Sequence, residues 1–222
     1  MKKTEYKMKP IYLNLHKPKM KLGVGASRFW GNPDLPDGVG YPMYFDEEGD
    51  EYPYFFVCQI NLEEIASYDV ENRLPHKGLL SFFAKIDYYM GYSDVYGDIC
   101  GGISDVDSVK VLYFPDCSDM REVVLVDDDG TQTSPCELQI LFSHDIEPLS
   151  EEHSLLALPT HREWETWDPP FEDWEILLQV DSFSGDDFDL NFVDYGVLNL
   201  LISPEDLKNQ CYDRVRAIVL ST

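Results

Sequence analysis

The stretch Ile11-Tyr12-Leu13-Asn14-Leu15 alternates apolar and polar residues with a period of two, the pattern of a strand with one buried face. Residues 54–60 (YFFVCQI) form instead a continuous apolar run of strand length, rich in aromatic and branched side chains, which predicts a strand buried on both sides. Similar runs predict strands at 77–86, entered through Gly78, and at 108–114, 121–126 and 136–142. Asp129-Gly130 suits the positive φ angles of a hairpin turn between the last two. Between residues 23 and 54 ten glycines and prolines exclude a helix. Two short helices are expected. Asn61 and Glu64 have the spacing of a capping box ahead of LEEIAS (62–67), and Ser203-Pro204 with Asp206 opens SPEDLKNQ (203–210).

The last third of the chain repeats an earlier part. FFVCQIN (55–61) aligns with EILLQVD (175–181), which places Gln59 over Gln179 and Asn61 over Asp181, and GLLSFF (78–83) aligns with GVLNLL (196–201). The pattern predicts a mainly β fold, α+β only in having a few short helices, in which internally duplicated antiparallel strand units form curved, packed sheets. A single domain over 1–222 is expected, with repeat units at about 54–86 and 174–207.

SRFWGNPDLP (27–36), FFVCQINLEEI, LPHKGLLSFF, a late LLQVD and the closing DYGVLNLLISPEDL, taken in this order, resemble the YwqG-like family. The resemblance runs from about Ser27 to Leu220. It implies a mainly β, internally duplicated fold in bacterial cytoplasmic proteins without an established biochemical function. The occurrence of some relatives near toxin systems implies immunity-like protein binding. Arg28 and Gly31 match the family pattern, whereas Trp30 stands where the family tends to have glycine.

Charge narrows the partners. The chain has 222 residues and a formal net charge of −25, yet it is 44% hydrophobic, so the acid covers a folded surface and does not signal disorder. Residues 1–28 hold eight basic groups against Glu5 alone, a net of +7, and the rest carries nine basic against 41 acidic groups, a net of −32. Such a body repels nucleic acid and anionic lipid and attracts cationic partners. The lysines near the start are read as lying on that body and neutralising part of it. No apolar segment of signal-peptide or membrane-spanning type is present, and the five cysteines include no C-x-x-C pair. A cytoplasmic protein with no membrane or nucleic-acid partner is expected; the oligomeric state is not legible.

The sequence offers binding candidates only. The glycines before Arg28 do not form a phosphate loop, because no Gly-Lys-Ser/Thr follows and Pro33 and Pro36 prevent the helix that such a loop requires. Phe29 and Trp30 are expected to be buried, with Arg28 clamping a carboxylate that is either internal or a ligand's. Gln59 and Gln179 lie inside apolar strands and must be hydrogen-bonded, either to neighbouring backbone or, with Asp181, facing a shared cleft. Residues 161–174 carry Trp164 and Trp167, read as an aromatic lid over the sheet or as anchors for a partner. His161-Arg162-Glu163 lacks the P-C-x-x-C that would complete a deaminase zinc site, and an EF-hand register on Gly130 places Leu125 and Cys136 at ligand positions. The acidic loop 181–189 is read as solvated and Cys100 as an inert thiol. No catalytic residue, metal or cofactor is expected. The resulting expectation is a non-catalytic interaction module for a basic protein; the alternative is a small-molecule binder or enzyme with a cleft between the duplicated halves.

Overall fold

Strands in which nearly every residue is apolar must be covered on both faces, and here they are. The structure, a computed structural model, describes residues 9–87, 91–93, 99–100, 102–158 and 167–221. Ten strands form the large sheet: β1 (Ile11–His16), β2 (Arg28–Phe29), β3 (Phe55–Asn61), β4 (Leu79–Ala84), β5 (Val109–Phe114), β6 (Leu138–Ser143), β7 (Ser154–Leu155), β8 (Glu175–Asp181), β9 (Val197–Ile202) and β10 (Arg216–Leu220). Their spatial order is β10-β9-β8-β7-β1-β6-β2-β3-β4-β5, with every neighbouring pair antiparallel. The two edges approach each other. Ser104, on the way into β5, donates its N–H to Ala217 O of β10 at 2.8 Å, and Val219 donates to Ile99 O at 2.9 Å. The sheet is thereby nearly closed into a barrel.

The strand order reads the same from either edge once β5 is matched with β10, β4 with β9, β3 with β8, β2 with β7 and β6 with β1. Both β3 and β8 carry a bulge at the corresponding place, between Phe56 and Cys58 and between Ile176 and Leu178. Each bulge turns two consecutive residues, Val57-Cys58 and Leu177-Leu178, into the main core. Trp30 and Leu156, just past β2 and β7, both adopt left-handed backbone, with φ of 59° and 52°. Each donates its N–H across the bulge at 3.0 Å, to Val57 O and Leu177 O respectively.

Alternation along the strands supplies the opposite face. Phe56 and Phe83 pack outside the main core with Leu35 and Tyr54, under a two-stranded cover made by Asp34–Pro36 and Met120–Glu122. On the other half Ile176 and Leu201 pack with Ala157 and Trp167.

Three expectations need correction. Residues 62–68 form turns, not a helix. A capping box at Asn61 needs its backbone N–H for Glu64, but Asn61 still belongs to β3 and gives that N–H to Ser27 Oγ at 2.8 Å. Its side chain accepts from Glu63 N at 3.0 Å, closing an Asx turn. The 121–126 strand is confined to its first residues, which pair with Asp34–Pro36 instead of with 136–142. At Asp129-Gly130 the chain does reverse, Asp127 N donating to Thr131 O at 2.9 Å and Thr133 N to Leu125 O at 3.3 Å, but the pairing ends at the single bridge Val126 to Gln132, and Asp127 Oδ1 accepts from the N–H groups of Asp129 and Thr131. The other helix forms as Pro204–Asn209, with Ser203 Oγ accepting from Asp206 N at 3.0 Å. Among the described residues no helix is long and apolar enough to cross a membrane.

Candidate functional site

Arg28 and Gln59 are register partners on β2 and β3, so their side chains share the outer face of the sheet. The chain turning through Gly31 and Pro33 lays Asp34 over them. Asp34 Oδ2 accepts from Arg28 Nη2 at 3.0 Å, Gln59 Nε2 at 2.6 Å and Gly25 N at 2.8 Å. Gln59 returns a bond, its Oε1 accepting from Asp34 N at 2.9 Å. Arg28 Nη1 also donates to Glu137 Oε2 at 3.2 Å, and Glu137 Oε1 accepts from Leu22 N at 2.8 Å. Arg28 and Asp34 are 1% and 0% exposed, so this ion pair is a buried internal one. The carboxylate that Arg28 clamps is the chain's own, and a glycine amide that could have met a phosphate is spent on Asp34.

Gly31 makes this corner possible. Its φ is 73°, and a Cβ there would stand 2.7 Å from Glu137 Cβ. Gly31→Ala is expected to cost about 1–3 kcal/mol of stability, read by urea unfolding; a change within about 0.5 kcal/mol would contradict this account of the corner.

In the other half Gln179 Nε2 donates to Glu152 O at 3.1 Å, and Asp181 Oδ2 accepts from Glu152 N at 2.6 Å. Asp181 N donates to Nδ1 of His153 at 3.1 Å. His153 takes the place that Ser27 holds under Asn61, and its 1% exposed ring lies 5.0 Å from that of Phe29, centroid to centroid. Burial holds its pKa down at about 3. The structure therefore joins Arg28 with Gln59 and Gln179 with Asp181, each group binding its own half's backbone.

Trp30 belongs to a different setting. Between the two halves the ends of β1 and β2 and the start of β6 meet the hairpin made by Phe183–Ser184 and Asp189–Phe192. The hairpin lies on Trp30: the rings of Phe183 and Phe188 stand 5.2 and 5.4 Å from it, and a Cβ on Gly185 would touch Trp30 Cζ3 at 2.5 Å. Polar ties hold it in place. Asp186 Oδ2 accepts from Lys17 Nζ at 2.6 Å, and Asp187 Oδ2 accepts from Cys136 N at 3.0 Å. Under it remains a cleft of about 560 Å³, walled by Trp30, Leu138 and Phe183. Trp30 is 1% exposed, yet its Nε1–H has no hydrogen-bond partner. A buried unsatisfied donor costs about 1–3 kcal/mol.

The cleft is suited to binding more than to covalent chemistry. Its cysteine, Cys136, is hydrogen-bonded to Asp187, which together with burial pushes its thiol pKa up and keeps it from the nucleophilic thiolate form. Cys100 lies apart from it, packed against the main core.

Of the remaining candidates, Trp164 lies outside the described residues, as do His161, Arg162 and Glu163. Trp167 is 5% exposed, packs with Ile176 and Leu201, and donates its Nε1–H to Trp174 O at 3.0 Å. Of the early basic residues, Lys17 folds onto Asp186 and Lys21 onto Glu122. The wall residues Leu138 and Phe183 and the rim residue Glu137 carry no sequence signal, being ordinary apolar and acidic residues 107 to 153 positions from Trp30; the acid-rich SGDD run of the hairpin is the one local sign.

The family model described as "Domain of unknown function (DUF1963)" matches residues 27–219. No curated protein matches the chain.

Proposed function

From the premise that the chain belongs to the DUF1963 family, the YwqG-like proteins, we propose that it is a cytoplasmic, non-catalytic protein that holds a small, flat ligand in the cleft between two duplicated halves. The observation that carries the reading is the cleft under the hairpin, about 560 Å³ and walled by Trp30, Leu138 and Phe183, within the size range of small-molecule sites. Duplication is supported by the mirrored strand order, the paired bulges and the left-handed backbone at both Trp30 and Leu156. The halves then differ where a site requires it, with tryptophan in one and leucine in the other. A docking surface for a basic protein has less support, because Trp167, its described aromatic anchor, is turned into the core.

The test uses N-phenyl-1-naphthylamine, a neutral flat dye that brightens in apolar surroundings. Saturable one-to-one binding with a dissociation constant on the order of 10 μM is expected. Ser184, exposed on the hairpin and lining the cleft, can be changed to tryptophan to fill it. Ser184→Trp is expected to weaken binding at least about tenfold while leaving the melting temperature nearly unchanged. Absence of saturation, or full binding to Ser184→Trp, would remove the cleft as the site.

A further inference from the structure

We propose that the ligand of this cleft is a cation, an aromatic ring system bearing a protonated amine; the inference rests on the cleft being a ligand site. The apolar wall fixes the flat part, and the rim fixes the charge. The charged groups along the rim are Lys17, Glu137, Asp186 and Asp187. Lys17 is matched by Asp186 at 2.6 Å, and behind the rim Arg28 is matched by the fully buried Asp34. Two negative charges, Glu137 and Asp187, are left over. Glu137 makes its own contact with Arg28 at 3.2 Å, but that guanidinium already balances Asp34.

An anion entering the cleft meets this surplus at short range and the field of a chain with net charge −25 at longer range. A cation meets attraction at both ranges.

The experiment displaces N-phenyl-1-naphthylamine from the full chain with three indoles that share a two-carbon chain and differ in the charge of its end group: tryptamine, tryptophol and indole-3-propionate. Tryptamine is expected to bind about tenfold more tightly than tryptophol, and indole-3-propionate several-fold more weakly. The tryptamine preference is expected to shrink in about 0.5 M salt. Asp187→Asn, which keeps the acceptor for Cys136 N, is expected to cut that preference, read as the ratio of the tryptamine and tryptophol affinities in the same variant, to about threefold or less. Equal displacement by tryptamine and tryptophol, or preference for the propionate, overturns the cation inference while the dye's binding leaves the cleft standing. If the dye itself does not bind, both readings fall together.

Discussion

Arg28→Met is expected to cost about 3–5 kcal/mol of folding stability, the typical loss when one member of a buried ion pair is removed. Asp34 would keep its charge at 0% exposure with only Gln59 Nε2 and Gly25 N to bond it, and Glu137 would lose its cationic neighbour. For a domain of this size that corresponds to a fall in melting temperature of about 6–20 °C. The loss is mostly the penalty of a stranded carboxylate, so Arg28→Met combined with Asp34→Asn should recover a good part of it. Asparagine keeps a carbonyl oxygen for Gly25 N and Gln59 Nε2. Urea unfolding of both variants checks this. A single variant within about 0.5 kcal/mol of the parent, or a double variant less stable than the single, would mean that the pair is not the clamp of this corner.

The second large effect is a loss of stability in acid that belongs to His153. Its folded pKa is held at about 3 by burial, below the unfolded value of about 6.5. The unfolded chain therefore binds the proton first. The stabilisation from a neutral His153 is complete above about pH 6.5, declines by up to about 1.4 kcal/mol per pH unit below it, and stops declining near the folded pKa. Between pH 7.5 and pH 5 the loss amounts to about 2 kcal/mol. Nδ1 accepts from Asp181 N, which leaves the ring proton on Nε2, and that N–H has no partner. His153→Gln can keep the acceptor for Asp181 N without the titration. Its unfolding free energy is expected to change by about 2 kcal/mol less than the parent's over the same pH interval, the acidic residues common to both cancelling in the difference. Parallel pH profiles for the two proteins would show that His153 is not buried in its neutral form.

Much of the sheet is legible in the sequence, because a strand covered on both faces leaves a continuous apolar run and a half-covered one leaves a period of two. FFVCQIN, LLSFFA and EILLQVD needed no tertiary information for that reason. The turns at 62–68 are not legible, since what removes the helix is Ser27, 34 positions before Asn61, taking the N–H that the capping box requires. Arg28 shows the same limit at the site. Its chemistry asks for a carboxylate, and Asp34 stands six residues away, but only the pairing of Asp34–Pro36 with Met120–Glu122 explains how Asp34 comes to lie over the sheet. The cleft is the least legible part. Trp30, Leu138 and Phe183 come from three distant segments, and each alone is an ordinary core residue.

The decisive measurement is an NMR titration that follows the indole N–H signals of the four tryptophans, assigned by single Trp→Phe variants, as tryptamine is added. The Trp30 signal is expected to move saturably, with the same midpoint as dye displacement, while that of Trp167, bonded to Trp174 O, stays in place. A bound ligand that leaves Trp30 unmoved, or that shifts Trp167 instead, would contradict the assignment of the cleft between the halves as the working part of this protein.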